Sequence, residues 1–450
     1  LSVQTEKSGC NVMAGPETSE ISSEAFLRQI REFQVIPEAP LQKALNALTT
    51  GVNARSMATH LLQSGIMTRF QGSRLLQGQG ASLRLGQYLI LEELGRGGMG
   101  RVFRAEHTAM GRVVALKVLA SDLVNSPRAK EFFMREVRAA SRLYHPNIVT
   151  AFDANEVNGI HILVMELVQG PNLEHLVRQR GPLPVTVACE YARQVATGLD
   201  HATEHGMVHR DIKPSNLLLR PDADPTRPGL VKISDFGLAR LAPIRHESTP
   251  TSHGTIMVEE NTIIGTPDYL APEQARSLHQ ADIRSDIYSL GCTLYFLLTG
   301  KVPFPGTKGL EKIIKHSTDP IPKPSALVSG IPSNVDAVVG RMMAKEPADR
   351  YQTPREVAAA LAEAIGEDYG TLPIALAVPM SNPDPFASFQ NTWKDTIITP
   401  FEGKSTPPTT ESNRIKSNRR GFSGIQAGLI AVVAVALIAT IAVVILRIFV

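Results

Sequence analysis

Hydrophobic residues change their spacing several times along this chain, and each change marks an element. From Ser22 to about Leu76 they recur at helical intervals, as Phe26, Ile30 and Phe33 and then Leu41, Leu45 and Leu48, with Pro37 and Pro40 interrupting. That pattern predicts two or three short helices within 22–84. Residues 1–21 carry no pattern and are expected to be disordered. At Leu85 the texture shifts to strands, 87–94 and 101–105 on either side of a glycine-rich stretch, followed by the apolar run 113–119. Ser126-Pro127 has N-cap and first-turn character, and Phe133, Val137 and Ala140 give the next helix its apolar face. A further apolar strand covers 162–168, and a mostly apolar helix begins at Ser285 and runs through Leu298.

Beyond about Ala364 the pattern dissolves. Pro373, Pro379, Pro383, Pro385, Pro400, Pro407 and Pro408 mark 366–424 as a Pro/Ser/Thr-rich linker. Then no charge occurs between Arg420 and Arg447, and 427–446 is almost entirely apolar. Twenty residues at about 1.5 Å each span roughly 30 Å, the thickness of a bilayer hydrocarbon core. A single transmembrane helix over 425–446 is expected; the alternative, a buried soluble helix, rarely stays apolar on every face. Arg414, Lys416, Arg419 and Arg420 precede this span and Arg447 alone follows it. The positive-inside bias therefore predicts a single-pass cell-membrane protein with its bulk in the cytoplasm and its C-terminus at the outer face.

Composition changes little in this picture. The formal charge of +3 in 450 residues gives no reason to expect nucleic-acid binding. Cys10, Cys189 and Cys292 are far apart and show no CxxC spacing, which fits a reducing compartment. Residues 1–20 lack the apolar core of a secretory signal.

The candidate chemistry lies at 209–216, which reads HRDIKPSN and places Asp211, Lys213 and Asn216 in one loop. Nineteen residues after Asn216 comes Asp235-Phe236-Gly237, so two carboxylates and a carboxamide can converge on a divalent metal and phosphate. Gly95, Gly97 and Gly100 form a GxGxxG, weak by itself because dinucleotide folds use the same spacing. A dinucleotide site needs a helix at the third glycine, whereas a second strand follows here. The glycines, Gly98 among them, then sit at a hairpin tip where backbone amides can approach phosphate. Lys117 interrupts an apolar strand and needs an anionic partner. Glu136 is on the helix after it; a helical glutamate is by itself most often solvated.

Taken in order, these motifs resemble the bacterial eukaryotic-type (Hanks-type) Ser/Thr protein kinases over 85–365. Gly95, Gly97 and Gly100 match the glycine loop, Lys117 the lysine of VAIK, Glu136 its helix partner, Asp211 and Asn216 the catalytic loop, Asp235 the DFG aspartate, and Ala271-Pro272-Glu273 the APE motif. The segment 61–80 is similar to a lead-in found in planctomycete-type kinases, and packing is the simpler reading of it. The resemblance implies an α+β, two-lobed kinase fold with a small β-rich N-lobe and a large, mostly helical C-lobe, here with an N-terminal helical extension and a C-terminal transmembrane helix. It implies transfer of the γ-phosphoryl of ATP, with Mg²⁺ or Mn²⁺, to Ser or Thr hydroxyls of proteins.

The roles that follow from the resemblance are specific. Asp211 orients the hydroxyl and accepts its proton; Lys213 lies against the γ-phosphate; Thr266 bridges the two. Lys117, fixed by Glu136, holds the α- and β-phosphates, and Asn216 and Asp235 hold metal. Leu94, Val102, Ala115, Met165, Glu166 and Val168 surround adenine, with Met165 gating the back of the pocket. Asp286 holds the HRD backbone, and Arg350 pairs with Glu273. Arg210 implies control by phosphorylation within 235–273, at Ser248, Thr249, Thr251, Ser252, Thr255 or Thr262, which leaves room for a kinase-domain dimer during autophosphorylation. The rival reading is a membrane-tethered pseudokinase; loss of Lys117, Asp211 or Asp235 would support it, and all three are present.

Overall fold

Alternation within β4 (Arg112–Leu119) explains the N-terminal half. Val114, Leu116 and Val118 point to one face and Ala115, Lys117 and Leu119 to the other, and both faces are buried. The structure, a computed structural model, describes residues 21–48, 51–97, 100–120, 127–224, 227–236, 267–276 and 281–366. Within these, β1 (Arg84–Leu85), β2 (Tyr88–Gly97), β3 (Gly100–His107), β4, β5 (Ala151–Val157) and β6 (Ile160–Met165) form one antiparallel sheet in the order β1-β2-β3-β4-β6-β5. One face shares an apolar cluster with Val137 of α5 (Pro127–Ala140). The strand readings of the sequence hold, with boundaries moved by a few residues.

The other face is covered by the extension, which has four helices where two or three were expected. These are α1 (Ser23–Glu32), α2 (Glu38–Leu45), α3 (Ala54–Gln63) and α4 (Arg69–Leu76). Pro40 does not break the run, because it falls in the first turn of α2, where its missing N–H is not needed. Phe26, Ile30, Leu41, Leu61 and Leu75 share one buried cluster with Phe103, Val114, Leu116 and Ile162 of the sheet. The extension is therefore a layer of the N-lobe, and no core boundary falls at 84/85.

The four helices are two copies of one unit, with α3 and α4 starting 31 residues after α1 and α2. Gln34 (φ 49) and Gly65 (φ 71) make the same left-handed turn. Both turns are closed alike, by Val35 N–H to Ile30 O at 2.9 Å and Ile66 N–H to Leu61 O at 3.3 Å.

The C-terminal half is helical: α6 (Leu173–Arg180), α7 (Val185–Glu204), α8 (Pro272–Arg276), α9 (Ile283–Thr299), α10 (Gly309–Thr318), α11 (Ser333–Met342) and α12 (Pro354–Ile365), with the hairpin β7 (Leu217–Arg220) and β8 (Leu230–Ile233). Residues 285–299 of α9 are buried on all sides, so the other helices pack around it. Among the described residues no helix is long and apolar enough to cross a membrane. The expected disordered start 1–21, apart from Ile21, the linker from residue 367 and the span 425–446 lie outside the described residues.

Candidate active site

The loop at 209–216 is shaped by α9. Asp286, fully buried there, accepts from His209 N–H and Arg210 N–H, each at 2.7 Å. These two bonds hold Arg210 at φ 68, a left-handed angle that costs a non-glycine residue roughly 1–2 kcal/mol. Hydrogen bonds to a charged group contribute about 1.5–3 kcal/mol each, so the pair outweighs the strain. His209 passes the constraint on. Its Nδ1 accepts from Asp211 N–H at 3.2 Å, and its Nε2 bonds Ser234 O at 2.8 Å, one residue before Asp235. Asn216 O accepts from Ser234 N–H at 2.9 Å, which fixes the two loops side by side.

Each polar residue then commits one part of itself and leaves an oxygen. Asp211 Oδ2 takes Lys213 Nζ at 2.8 Å and Asn216 Nδ2 at 3.0 Å. Asp235 Oδ1 takes Lys117 Nζ at 2.7 Å. Among the described residues Asp211 Oδ1, Asn216 Oδ1 and Asp235 Oδ2 accept from none. Burial pushes the Asp235 carboxyl up, but Lys117 beside it, with His209 and Lys213, pulls it down further, to below the usual carboxylate range. It is a carboxylate at neutral pH.

The expected partner of Lys117 differs. Among the described residues the carboxylate on Lys117 is that of Asp235, at 2.7 Å, while Glu136 lies 3.4 Å from Arg135. Lys117 is 5% exposed, and its ammonium meets the Asp235 carboxylate of the second lobe, which supplies the anionic partner a buried lysine needs. Leu94, Val102, Ala115 and Met165 fall into one apolar cluster with Leu167, and Ala115 faces Met165 across the β4–β6 ladder. Glu166 N–H is taken by Thr150 O at 2.9 Å, leaving only its carbonyl for a ligand. Val168 is half-buried just beyond. Around Gly95 and Gly97 there is open space, whereas Gly100 (φ 134) must be glycine, because a Cβ there would stand 2.0 Å from Val118 O. Gly98, Thr266 and the candidate phosphorylation sites at 248–262 lie outside the described residues.

Three positioning residues were not read from sequence. Lys232, 5% exposed, bonds the Glu166 carboxylate at 2.9 Å and so ties the segment after Met165 to β8. Gln274 Nε2 donates to Arg210 O at 3.1 Å. Lys312 of α10 pairs with Asp268 at 2.7 Å. Lys232 had a signal, a lysine inside the apolar run of β8 like that of Lys117 in β4; the other two are ordinary surface types in sequence. The expected pair Arg350–Glu273 is present as a bidentate bridge at 2.7 and 2.8 Å, with the arginine side chain fully buried.

A β-rich lobe carrying a glycine hairpin and a buried lysine, facing a helical lobe that carries an Asp/Lys/Asn loop and a second aspartate, defines a two-lobed phosphotransferase. The chain belongs to the protein kinase family, whose profile, described as protein kinase domain, matches residues 88–361. It is similar to the probable serine/threonine-protein kinase PknB of Corynebacterium glutamicum, 41% identical over 283 residues, 61% of this chain and 42% of that protein. Serine/threonine-protein kinase PrkC of Bacillus subtilis is 36% identical over 283 residues, 63% of this chain and 41% of that protein. The chain thus spans roughly two-fifths of the length of these curated relatives. Among solved structures, the Mycobacterium tuberculosis PknI kinase domain is 28% identical, covering 62% of this chain and 97% of that one, with a TM-score of 0.48. The family uses ATP and a divalent metal, and the residues here fit both: Asn216 Oδ1 and Asp235 Oδ2 are hard oxygen donors of the kind Mg²⁺ takes. Among the described residues no group of three His, Cys, Asp or Glu side chains could hold a metal, so the ion would depend on this amide, this carboxylate and the nucleotide.

Proposed function

We propose that the chain is a protein serine/threonine kinase that transfers the γ-phosphoryl of ATP to protein hydroxyls. The observation that carries the reading is the set of three uncommitted oxygens on Asp211, Asn216 and Asp235, fixed by bonds within the two loops and backed by Lys117 and Lys213. Asp211 Oδ1 is the acceptor for the substrate hydroxyl, which it orients and whose proton it receives. Lys213, held against Asp211, carries its charge toward the transferred group. Asn216 and Asp235 would hold Mg²⁺, or Mn²⁺ in its place, which neutralises charge on the phosphates. Leu94, Val102, Ala115 and Met165 shape an apolar slot for the base, and Lys117 offers a cation to the phosphates.

Lys213 beside Asp211 supports Ser/Thr specificity, as do the names of the relatives. Autophosphorylation between Asp235 and Glu273 in a transient dimer, and anchoring at the cytoplasmic face of a membrane through 425–446, extend the reading. Incubating the full chain with MgATP and a protein substrate beside its Asp211→Asn variant tests it. The variant is expected to lose about 10²- to 10⁴-fold in rate, with phosphoserine and phosphothreonine in the wild-type products. Equal incorporation by both would refute the assignment, and no incorporation by either would favour the pseudokinase.

A further inference from the structure

β2 carries the glycine-rich stretch, and its pairing with β3 is irregular just before it. The register shifts between Ile90 and Glu92 and again between Glu93 and Gly95. Leu91 consequently has no partner residue in β3, and β1 pairs only with Tyr88 and Leu89, so it does not reach this part of the strand. The edge is taken by α4 instead. Gln71 Nε2 donates to Ile90 O at 2.9 Å, and Thr68 Oγ donates to Leu91 O. The same side chains close the capping box of α4: Thr68 Oγ accepts from Gln71 N–H at 3.2 Å and Gln71 Oε1 from Thr68 N–H at 3.0 Å. Gln71 is 2% exposed, and both ends of its amide are committed. Beside it Phe70 packs on Phe103, ring centroids 6.2 Å apart, and Arg101 pairs with Glu93 next to the second irregularity.

The duplication isolates what these side chains are for. In the first copy the equivalent positions are Pro37 and Pro40, and α2 forms without any side-chain cap. The first copy thus starts on prolines and offers no side-chain donor at either position. Among the described helix pairs, only the copy docked on β2 places such donors at the Ile90 and Leu91 carbonyls, beyond the reach of β1.

We propose that Thr68 and Gln71 are positioning residues for the nucleotide site, holding bulged β2 in the one register that sets where Leu94, Gly95 and Gly97 lie against the nucleotide. Neither touches the nucleotide. The proposal rests on the kinase reading above, so its test separates binding from turnover. ATP affinity of the full chain is measured by calorimetric titration with Mg²⁺ present, alongside kcat and the KM values for ATP and for a protein substrate. Thr68→Val and Gln71→Leu are expected to weaken ATP binding and raise its KM about 3- to 10-fold. The KM for protein substrate should stay within about twofold, and Thr68→Ser should restore the wild-type values. Unchanged ATP affinity in both variants overturns the proposal, as does a parallel loss of ATP and protein-substrate affinity that tracks a lowered melting midpoint. If Gln71→Leu does not fold, Thr68→Val, which removes a single hydroxyl, decides alone. A wild-type chain that binds ATP but transfers nothing defeats the kinase reading and leaves the binding comparison standing; one that binds no ATP defeats both.

Discussion

His316 shows how a single side chain can set the pH range of the C-lobe. It is 1% exposed on α10 and shares a hydrogen bond with Tyr288 OH at 2.8 Å through Nδ1. Burial, with Lys345 and Lys312 adding to it against the opposing pull of Asp268, lowers its pKa from 6.5 to about 4. The folded chain therefore keeps this imidazole neutral where the unfolded chain protonates it. The sign follows: its contribution is fully present above pH 6.5 and is lost as pH falls toward 4, by about 3 kcal/mol in all. His316→Gln should flatten the fall in melting midpoint over that window, measured by calorimetry at several pH values; an unchanged profile would place the proton uptake elsewhere. Glu273 acts in the same direction at lower pH. Burial raises its carboxyl, but Arg350 and Ser285 bond it and hold it below the usual range, so its stabilisation is lost as pH falls through that lowered value.

At the scale of elements, the extension and the sheet share one core. Ala105, Leu116 and Ile162 have no exposed surface, and Val114, Val164, Tyr88 and Ile90 have 2–3%. Each large apolar side chain uncovered costs about 1.5–3 kcal/mol, and a typical domain has only about 5–15 kcal/mol to lose. Deleting 22–83 is therefore expected to give an aggregated chain, read by light scattering and hydrophobic dye binding. A deleted chain that is monodisperse, with an unchanged melting midpoint, would contradict the shared core. The sequence already placed helices here, but their spacing could not say what they covered, because an amphipathic helix looks the same against any apolar face.

For the whole molecule, the proposed arrangement is a kinase domain on a proline-rich tether beside a bilayer. Full-length protein should remain with membranes after alkaline carbonate extraction, and removal of 425–446 should release it while leaving phosphoryl transfer intact. Release of the full chain by carbonate would remove the anchor from the picture.

The chemistry of the chain was legible in its sequence because short motifs fix residue types at fixed spacings: Asp211, Lys213 and Asn216 lie within one loop, and Asp286 and Arg350 have the partners the resemblance assigned. Strands such as β3 were legible because alternation is local, and β4 because a short apolar run is. Three things waited for the tertiary structure. The carboxylate that holds Lys117 in this conformation is 118 residues away in Asp235, and only packing of the two lobes decides between it and Glu136. The ties of Lys232, Gln274 and Lys312 join segments far apart in the chain, so no window of sequence contains both partners. The extension repeats every 31 residues, yet its two copies keep apolar character rather than identity, and the polar pair Thr68 and Gln71 gains meaning only where a strand bulge presents its carbonyls to them. Pattern specifies which elements form, because it is set by neighbours along the chain; partners across the fold are set by the burial of polar groups, which has no local signature.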